Sequence, residues 1–418
     1  MFAQPLELPN GVTLNNRFVK SAMEEELASN GVPGPEYVTL YQRWAQGQPG
    51  LMITGNVVVD RTAPTDPGVV VLEDDRHLDQ FKAWAIAAKT GGSKIVMQIN
   101  HPGRQIPKHL AAEPVAPSSV GVEVPGGRGL FNPPKALSEE EIENLIDRFV
   151  NTARLAISAG FDGVQIHAAH GYLVNQFLSP YTNRRDDQWG GSLENRSRFL
   201  FRIVKGMKSV LKPESIFSIK LNSADFQRGG FDEKDAQWVI KQLNEMGLDL
   251  LELSGGNYES PAMIDGGTHD STNRREAFFL DFAATAKKIA SMPLMVTGGF
   301  KSRQGMLQAL ASGDVDAVGL AKPFCVEPDL PKKMIAAEIE AVSWPVKKLK
   351  NQAFNSLAQM GWARRQIHLL ATGQNVNLKL GTVRNLISSV IHTQLKNLSY
   401  KRWLRATTKT KRLAACQE

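Results

Sequence analysis

Cysteine is nearly absent from this 418-residue chain, with only Cys325 and Cys416 present. Two thiols build no disulfide framework and cannot ligate a cubane iron–sulfur cluster, which takes about four. Long hydrophobic runs are lacking too. No stretch of about 18 apolar residues occurs, and the opening from Met1 to Pro9 has no basic segment leading into an apolar core, so a cytoplasmic location is the expectation. No Gly-x-Gly-x-x-Gly follows any apolar run, which argues against a dedicated dinucleotide domain. Acidic residues are missing from the last part of the chain. From Pro345 onward 14 Lys or Arg stand against one acid, Glu418, whereas the preceding 344 residues carry 35 basic and 41 acidic residues. The net charge of +7 therefore belongs to the tail, and the body is mildly acidic.

Eight short apolar, β-branched runs are present, at residues 17–23, 51–54, 94–99, 163–166, 216–221, 250–253, 293–297 and 317–320. Amphipathic helical patterns alternate with them. The clearest begins at Ser138, where Ser138 and Glu141 form a capping box and Ile142, Leu145, Ile146, Phe149, Val150 and Ala153 fall on one face. Others cover 36–46, 76–90, 192–211, 232–246, 277–290, 302–311 and 329–338. Continuously apolar strands alternating with helices imply parallel pairing with right-handed crossovers, and eight units make a (β/α)8 barrel. The division expected is a barrel over 1–344 and a basic, largely helical C-terminal extension over 345–418. The Pro- and Gly-rich stretch 102–137 is too long for a plain connection and is expected to form a hairpin or lid.

Active sites of such barrels sit at the C-terminal ends of the strands. Those ends read Ala22-Met23-Glu24, Gly55-Asn56, Gln98 with Asn100 and His101, His167 with His170 and Tyr172, Lys220, Ser254-Gly255-Gly256, Thr297-Gly298-Gly299 and Ala321-Lys322. Two imidazoles and a phenol within six positions can grip an electron-rich oxygen and supply a proton. The alternatives are a zinc pair, which wants a third ligand, or histidines satisfied within their loop. Gly298 and Gly299 leave backbone N–H groups open after the seventh strand and Lys322 adds a cation after the eighth, where these barrels hold a phosphate. Arg184, Arg185, Asp186 and Asp187 read as an ion network bracing their loop.

Taken in order, Asn16-Arg17-Phe-Val-Lys-Ser-Ala-Met23, Gln98-Ile-Asn-His-Pro-Gly-Arg104, His167-Ala-Ala-His170-Gly-Tyr-Leu173, Gln176-Phe-Leu-Ser-Pro180, Asn183-Arg-Arg-Asp186 with Gly190-Gly-Ser192, and Thr297-Gly-Gly299 resemble the old yellow enzyme family of flavin-dependent ene-reductases. The resemblance spans roughly residues 5–340. It implies an FMN-bound barrel that takes hydride from NADH or NADPH and passes it to an α,β-unsaturated carbonyl compound, a quinone or a nitro compound. It also implies that Ala22, Met23 and Asn56 line the flavin, that Gln98 bonds its pyrimidine edge, that Lys220 sits near N1, and that Gly298, Gly299, Ala321 and Lys322 take the phosphate. His167 and His170 would bind the substrate carbonyl and Tyr172 would protonate the α-carbon. Three positions depart from the family pattern: Glu24 in place of Thr or Cys, Lys322 in place of Arg, and Asn100 in place of an aromatic, which suggests a more polar pocket. Within the fold, the alternative activity is amine or N-methyl oxidation.

The extension lies outside the resemblance. Between Thr382 and Trp403, Leu386, Ile387, Val390, Ile391, Leu395 and Leu398 form an apolar stripe, with Lys396, Lys401, Arg402 and Arg405 towards its end. Packing on the barrel or on a second subunit is one expectation. Peripheral attachment to anionic lipid is another, and it carries a different role for the whole chain, a barrel serving tail-mediated membrane or partner binding. Nucleic-acid binding is not expected, because the charge sits in a tail and no binding fold for it is visible.

Overall fold

The apolar runs assemble as one closed parallel sheet in the computed structural model, which describes residues 1–110, 113–124, 127, 129–260, 279–345 and 352–415. Its strands are β1 (Phe18–Lys20), β2 (Leu51–Ile53), β3 (Lys94–Asn100), β4 (Gly163–Ala168), β5 (Ile216–Asn222), β6 (Leu250–Ser254), β7 (Leu294–Thr297) and β8 (Ala317–Leu320). Each pairs in parallel with the next, and β8 returns to β1 through Val318↔Phe18, Gly319↔Val19 and Leu320↔Lys20. Every residue of β4 and β5 is buried, as expected where helices cover one face and the barrel interior the other. At the N-terminal end of the barrel, Leu6, Leu8 and Leu14 of a short antiparallel hairpin pack on Leu51, Ile216, Leu250 and Ala317. The fold is the (β/α)8 barrel that the alternation of runs implies.

The covering helices are α1 (Pro35–Ala45), α2 (Leu78–Ala88), α3 (Glu139–Ser158), α4 (Leu193–Val210), α5 (Glu233–Leu243), α6 (Leu280–Lys287), α7 (Arg303–Ala311) and α8 (Leu330–Ile335). Side chains of Ser138, Ser192, Asp232 and Ser302 cap α3, α4, α5 and α7, each accepting a backbone N–H that the first turn leaves unpaired. Residues 277 and 278, expected to open α6, lie outside the described residues, as does Cys416.

The 102–137 excursion is not a simple hairpin. Val115–Ala116 and Lys135–Ala136 pair in parallel, and among the described residues only Pro107 and Phe131 meet as an antiparallel bridge. Side-chain anchors fix this path. Arg185 donates to the carbonyls of Pro117 (3.0 Å) and Leu137 (2.6 Å) while paired with Asp187, and Arg104 ion-pairs with Glu259 in the loop after β6.

Two more helices, α9 (Gln352–Ala371) and α10 (Thr382–Ala415), pack on each other and on the barrel. The apolar stripe of α10 is not what holds it there. Ile387, Ile391, Leu395 and Leu398 face outward at 56–64% exposure. The inward face, which buries the Tyr400 ring, finds polar partners in the barrel: Tyr400 donates to the Arg61 carbonyl (2.7 Å), Thr393 to Glu26 (2.9 Å) and Lys396 to the Glu26 carbonyl (2.5 Å). No helix among the described residues is long and apolar enough to cross a membrane.

His101, just past β3, is buried, and its Nδ1 accepts the Gly103 N–H at 3.0 Å. Burial, only partly opposed by Asp60, holds its pKa down to about 4. In the unfolded chain the ring takes up a proton near its ordinary 6.5, so as pH falls from 6.5 towards 4 the unfolded state binds the proton first and stability is lost. His101 should remove about 2 kcal/mol between pH 7.5 and pH 5. Urea midpoints at the two pH values, compared with those of His101→Asn, check this: the variant's loss on acidification is expected to be smaller by about that amount.

Candidate active site

The period-two alternation of strand side chains sorts the barrel residues. Met97, Ile99, Val164, Ile166, Ile219, Leu221, Leu251 and Leu253 join the apolar layer under the helices. The intervening residues turn inward and form a polar layer. Gln98 donates to Gln165 (2.8 Å), and Gln165 donates to Glu252 (2.9 Å). Thr297 also donates to Glu252 (2.6 Å), and Lys220 Nζ lies 3.0 Å from the same carboxylate. Lys220 and Glu252 are 3% and 0% exposed, so each ion compensates the other's loss of water.

Above this layer lies a crevice of about 210 Å³, lined by Ala22, Met23, Glu24, Asn56, Gln98, His167, His170, Tyr172, Lys220, Ala321 and Lys322 from the strand ends. It contains every residue the sequence pointed to as a site residue except Gly298 and Gly299. Those two follow β7 with left-handed φ of 128° and 93° and do not line the crevice. Asn100 does not line it either, and is buried elsewhere.

His167 ends the inward series of β4, beside Lys220 in register. His170 sits in the next turn at φ 62°, a conformation disfavoured for a side chain of its size. Asn222 accepts its N–H (3.1 Å), and Ser254 meets its Nε2 (2.8 Å). The two imidazoles stand 5.0 Å apart, centroid to centroid, with the Tyr172 ring 4.9 Å from His167. Burial, reinforced by the Lys220 charge, pushes both histidines well below their ordinary pKa, so both are neutral near pH 7. His167 Nδ1 is buried without a hydrogen-bond partner among the described residues. Burial and then the Glu24 carboxylate push the Tyr172 phenol well up, so it keeps its proton. Its hydroxyl lies 3.0 Å from Glu24 Oε1 and 2.9 Å from the Tyr258 hydroxyl.

Glu24 therefore turns towards Tyr172, and its other oxygen lies 3.6 Å from Arg364 of α9. Met360, Ala363, Arg364 and Ile367 complete the crevice as a wall the sequence reading did not supply, together with Tyr258. Tyr258 stands two residues past the Gly255-Gly256 pair at which the strand-end reading stopped. For Arg364 the signal was charge: three successive acids, Glu24 to Glu26, have no adjacent base, and the acid-poor tail has an excess of them.

The crevice suits a flat heteroaromatic group with one polar edge. Gln98, Asn56 and Lys220 offer polar atoms, while Ala22, Met23, Met360, Ala363 and Ile367 offer apolar surface. The orphaned, buried Nδ1 of His167 wants a partner that the described residues do not provide. These are features a flavin and an oxygen-bearing second ligand would satisfy.

A family model described as NADH:flavin oxidoreductase / NADH oxidase matches residues 1–339. An NADH-dependent flavin oxidoreductase of Aspergillus parasiticus is 39% identical over 346 residues, covering 79% of this chain and 77% of its own. Among solved structures, 2-naphthoyl-CoA reductase in complex with 2-naphthoyl-CoA has a TM-score of 0.75 at 27% identity over 80% of this chain, which spans about half (52%) of that protein. The old yellow enzyme homologue from Zymomonas mobilis has a TM-score of 0.70 at 25% identity, covering 81% of this chain and 94% of its own. The chain accordingly belongs to the NADH:flavin oxidoreductase / NADH oxidase family, as a flavin-dependent oxidoreductase of old yellow enzyme type that draws on NAD(P)H.

Proposed function

We propose that the crevice binds FMN and that the enzyme uses NADH or NADPH to reduce an activated alkene of the α,β-unsaturated carbonyl class, with quinones and nitro compounds as further acceptors. The observation that carries this reading is the neutral histidine pair facing a protonated tyrosine at one crevice. The bound flavin supplies hydride chemistry.

The chain's own residues do the rest. A neutral imidazole still has one N–H to donate, and His167 with His170 would hold the substrate oxygen and draw electron density towards it. Tyr172 would deliver the proton to carbon, since burial keeps its hydroxyl loaded. Burial also pushes the Glu24 carboxyl upward, so it would take up a proton from water and pass it across the 3.0 Å hydrogen bond to the Tyr172 phenolate after each turnover. Gln98 and Asn56 would bond the polar edge of the flavin and Lys220 would balance negative charge there, with Glu252 holding the ammonium in place. Ala22 and Met23 would pack on the ring, and Ala321 and Lys322 would take the phosphate end with Gly298 and Gly299 beside them.

Tyr172→Phe is expected to slow alkene reduction by about 10²-fold or more. Flavin reduction by NADH or NADPH should stay within about twofold, because no proton from Tyr172 enters that half-reaction. Stopped-flow measurement of the two half-reactions decides, and equal losses in both would remove Tyr172 as the proton donor. His167→Ala should weaken phenol binding about tenfold, as befits loss of a buried hydrogen bond; an unchanged titration of the flavin spectrum by phenol contradicts the assignment.

A further inference from the structure

A second cavity, of about 490 Å³, adjoins the crevice, and Glu24, Tyr258, Met360 and Arg364 line both. It lies between the 102–137 excursion and the two C-terminal helices. Its apolar lining comes from three separate parts of the chain: Val124, Leu130 and Phe131 from the excursion, Leu357 and Met360 from α9, and Val390 from α10. Leu130, Leu357 and Val390 are 49–50% exposed. Single exposed leucines are ordinary, but three large aliphatics converging from three elements around one hollow form a patch that a ligand can cover. The charged lining is already committed. Arg364 is tied to Glu24 and Glu26, and Asp66 accepts the Gly68 N–H at 2.8 Å. Among the described residues of this lining, no spare cation waits for a carboxylate or phosphate.

We propose that this annex seats the uncharged apolar tail of the substrate, an alkyl, prenyl or aryl group, while the oxygen-bearing head lies at His167 and His170. The inference rests on the functional reading above and adds the substrate class to it. Continuity across Glu24, Tyr258, Met360 and Arg364 lets one molecule occupy both spaces. The C-terminal helices are then specificity elements, since α9 and α10 supply one side of the hollow.

The test is calorimetric titration of the flavin-loaded protein with phenol and with 3- and 4-alkylphenols bearing butyl or hexyl chains. It is repeated on Leu357→Glu and Val390→Glu, two half-exposed positions where a polar side chain is tolerated. Each fully buried methylene tightens binding roughly fourfold. In at least one series the hexyl compound is therefore expected to bind tenfold or more tighter than phenol, with the gain lost in both variants. Affinity independent of chain length, or a gain that both variants retain, overturns the annex whether or not phenol binds. Phenol without affinity beside a hexylphenol whose binding depends on Leu357 leaves the annex standing and removes the oxygen grip instead. If no compound binds, both fall.

Discussion

Three successive carboxylates after β1 point three ways, and the crevice is assembled around their compensation. Glu25 turns into the core, where Tyr41 donates to it at 2.6 Å and Lys20 lies 3.6 Å away. Glu26 turns to the C-terminal extension, ion-pairing with Arg364 and accepting from Thr393. Glu24 turns into the crevice between Arg364 and Tyr172. A buried carboxylate left alone would cost several kcal/mol, which makes Arg364 on α9 a requirement of the barrel mouth itself. The helix that supplies the guanidinium also brings Met360, Ala363 and Ile367 against the crevice. His368 on the same helix meets the Glu25 carbonyl at 2.8 Å and secures the join. The extension is thereby part of the crevice wall.

Within the crevice the electrostatics point in one direction. Lys220 has its charge balanced by Glu252 one strand away, and the remaining inward groups are amides and hydroxyls tied to one another. Two imidazoles above that layer are kept uncharged by burial and by the nearby ammonium. The phenol beside them is kept protonated by burial and by Glu24. Donors that carry no net charge hold a neutral carbonyl without demanding an anionic group, which accords with an apolar annex whose one guanidinium is already paired.

The barrel was legible because its signal is local. Each buried parallel strand is a short apolar run, and each helix shows its own cap and period, as Ser138 and Glu141 do for α3. The strand ends followed from the fold rule, and His167, His170, Tyr172, Lys220 and Gln98 lie where that rule puts them. What the sequence did not yield depends on distant partners. His368 and Glu25 are 343 positions apart, and nothing in the period of α9 says which of its faces meets the barrel mouth. The helix α10 does pack on the barrel, but not through its apolar stripe: the buried ring and hydroxyl of Tyr400, Trp403 against Arg61, and Lys396 dock it. The parallel pairing inside the 102–137 excursion also escaped, because Arg185 and Glu259, both outside it, set that path.

The claim that joins these observations is that one flavin lies between the strand ends and α9. Hydrogen–deuterium exchange of the full chain, compared with and without bound FMN, tests it most directly. Amides of residues 22–24, 167–172 and 360–367 are expected to gain protection together on loading. Protection confined to the strand ends, with 360–367 exchanging at the same rate in both forms, would contradict the account.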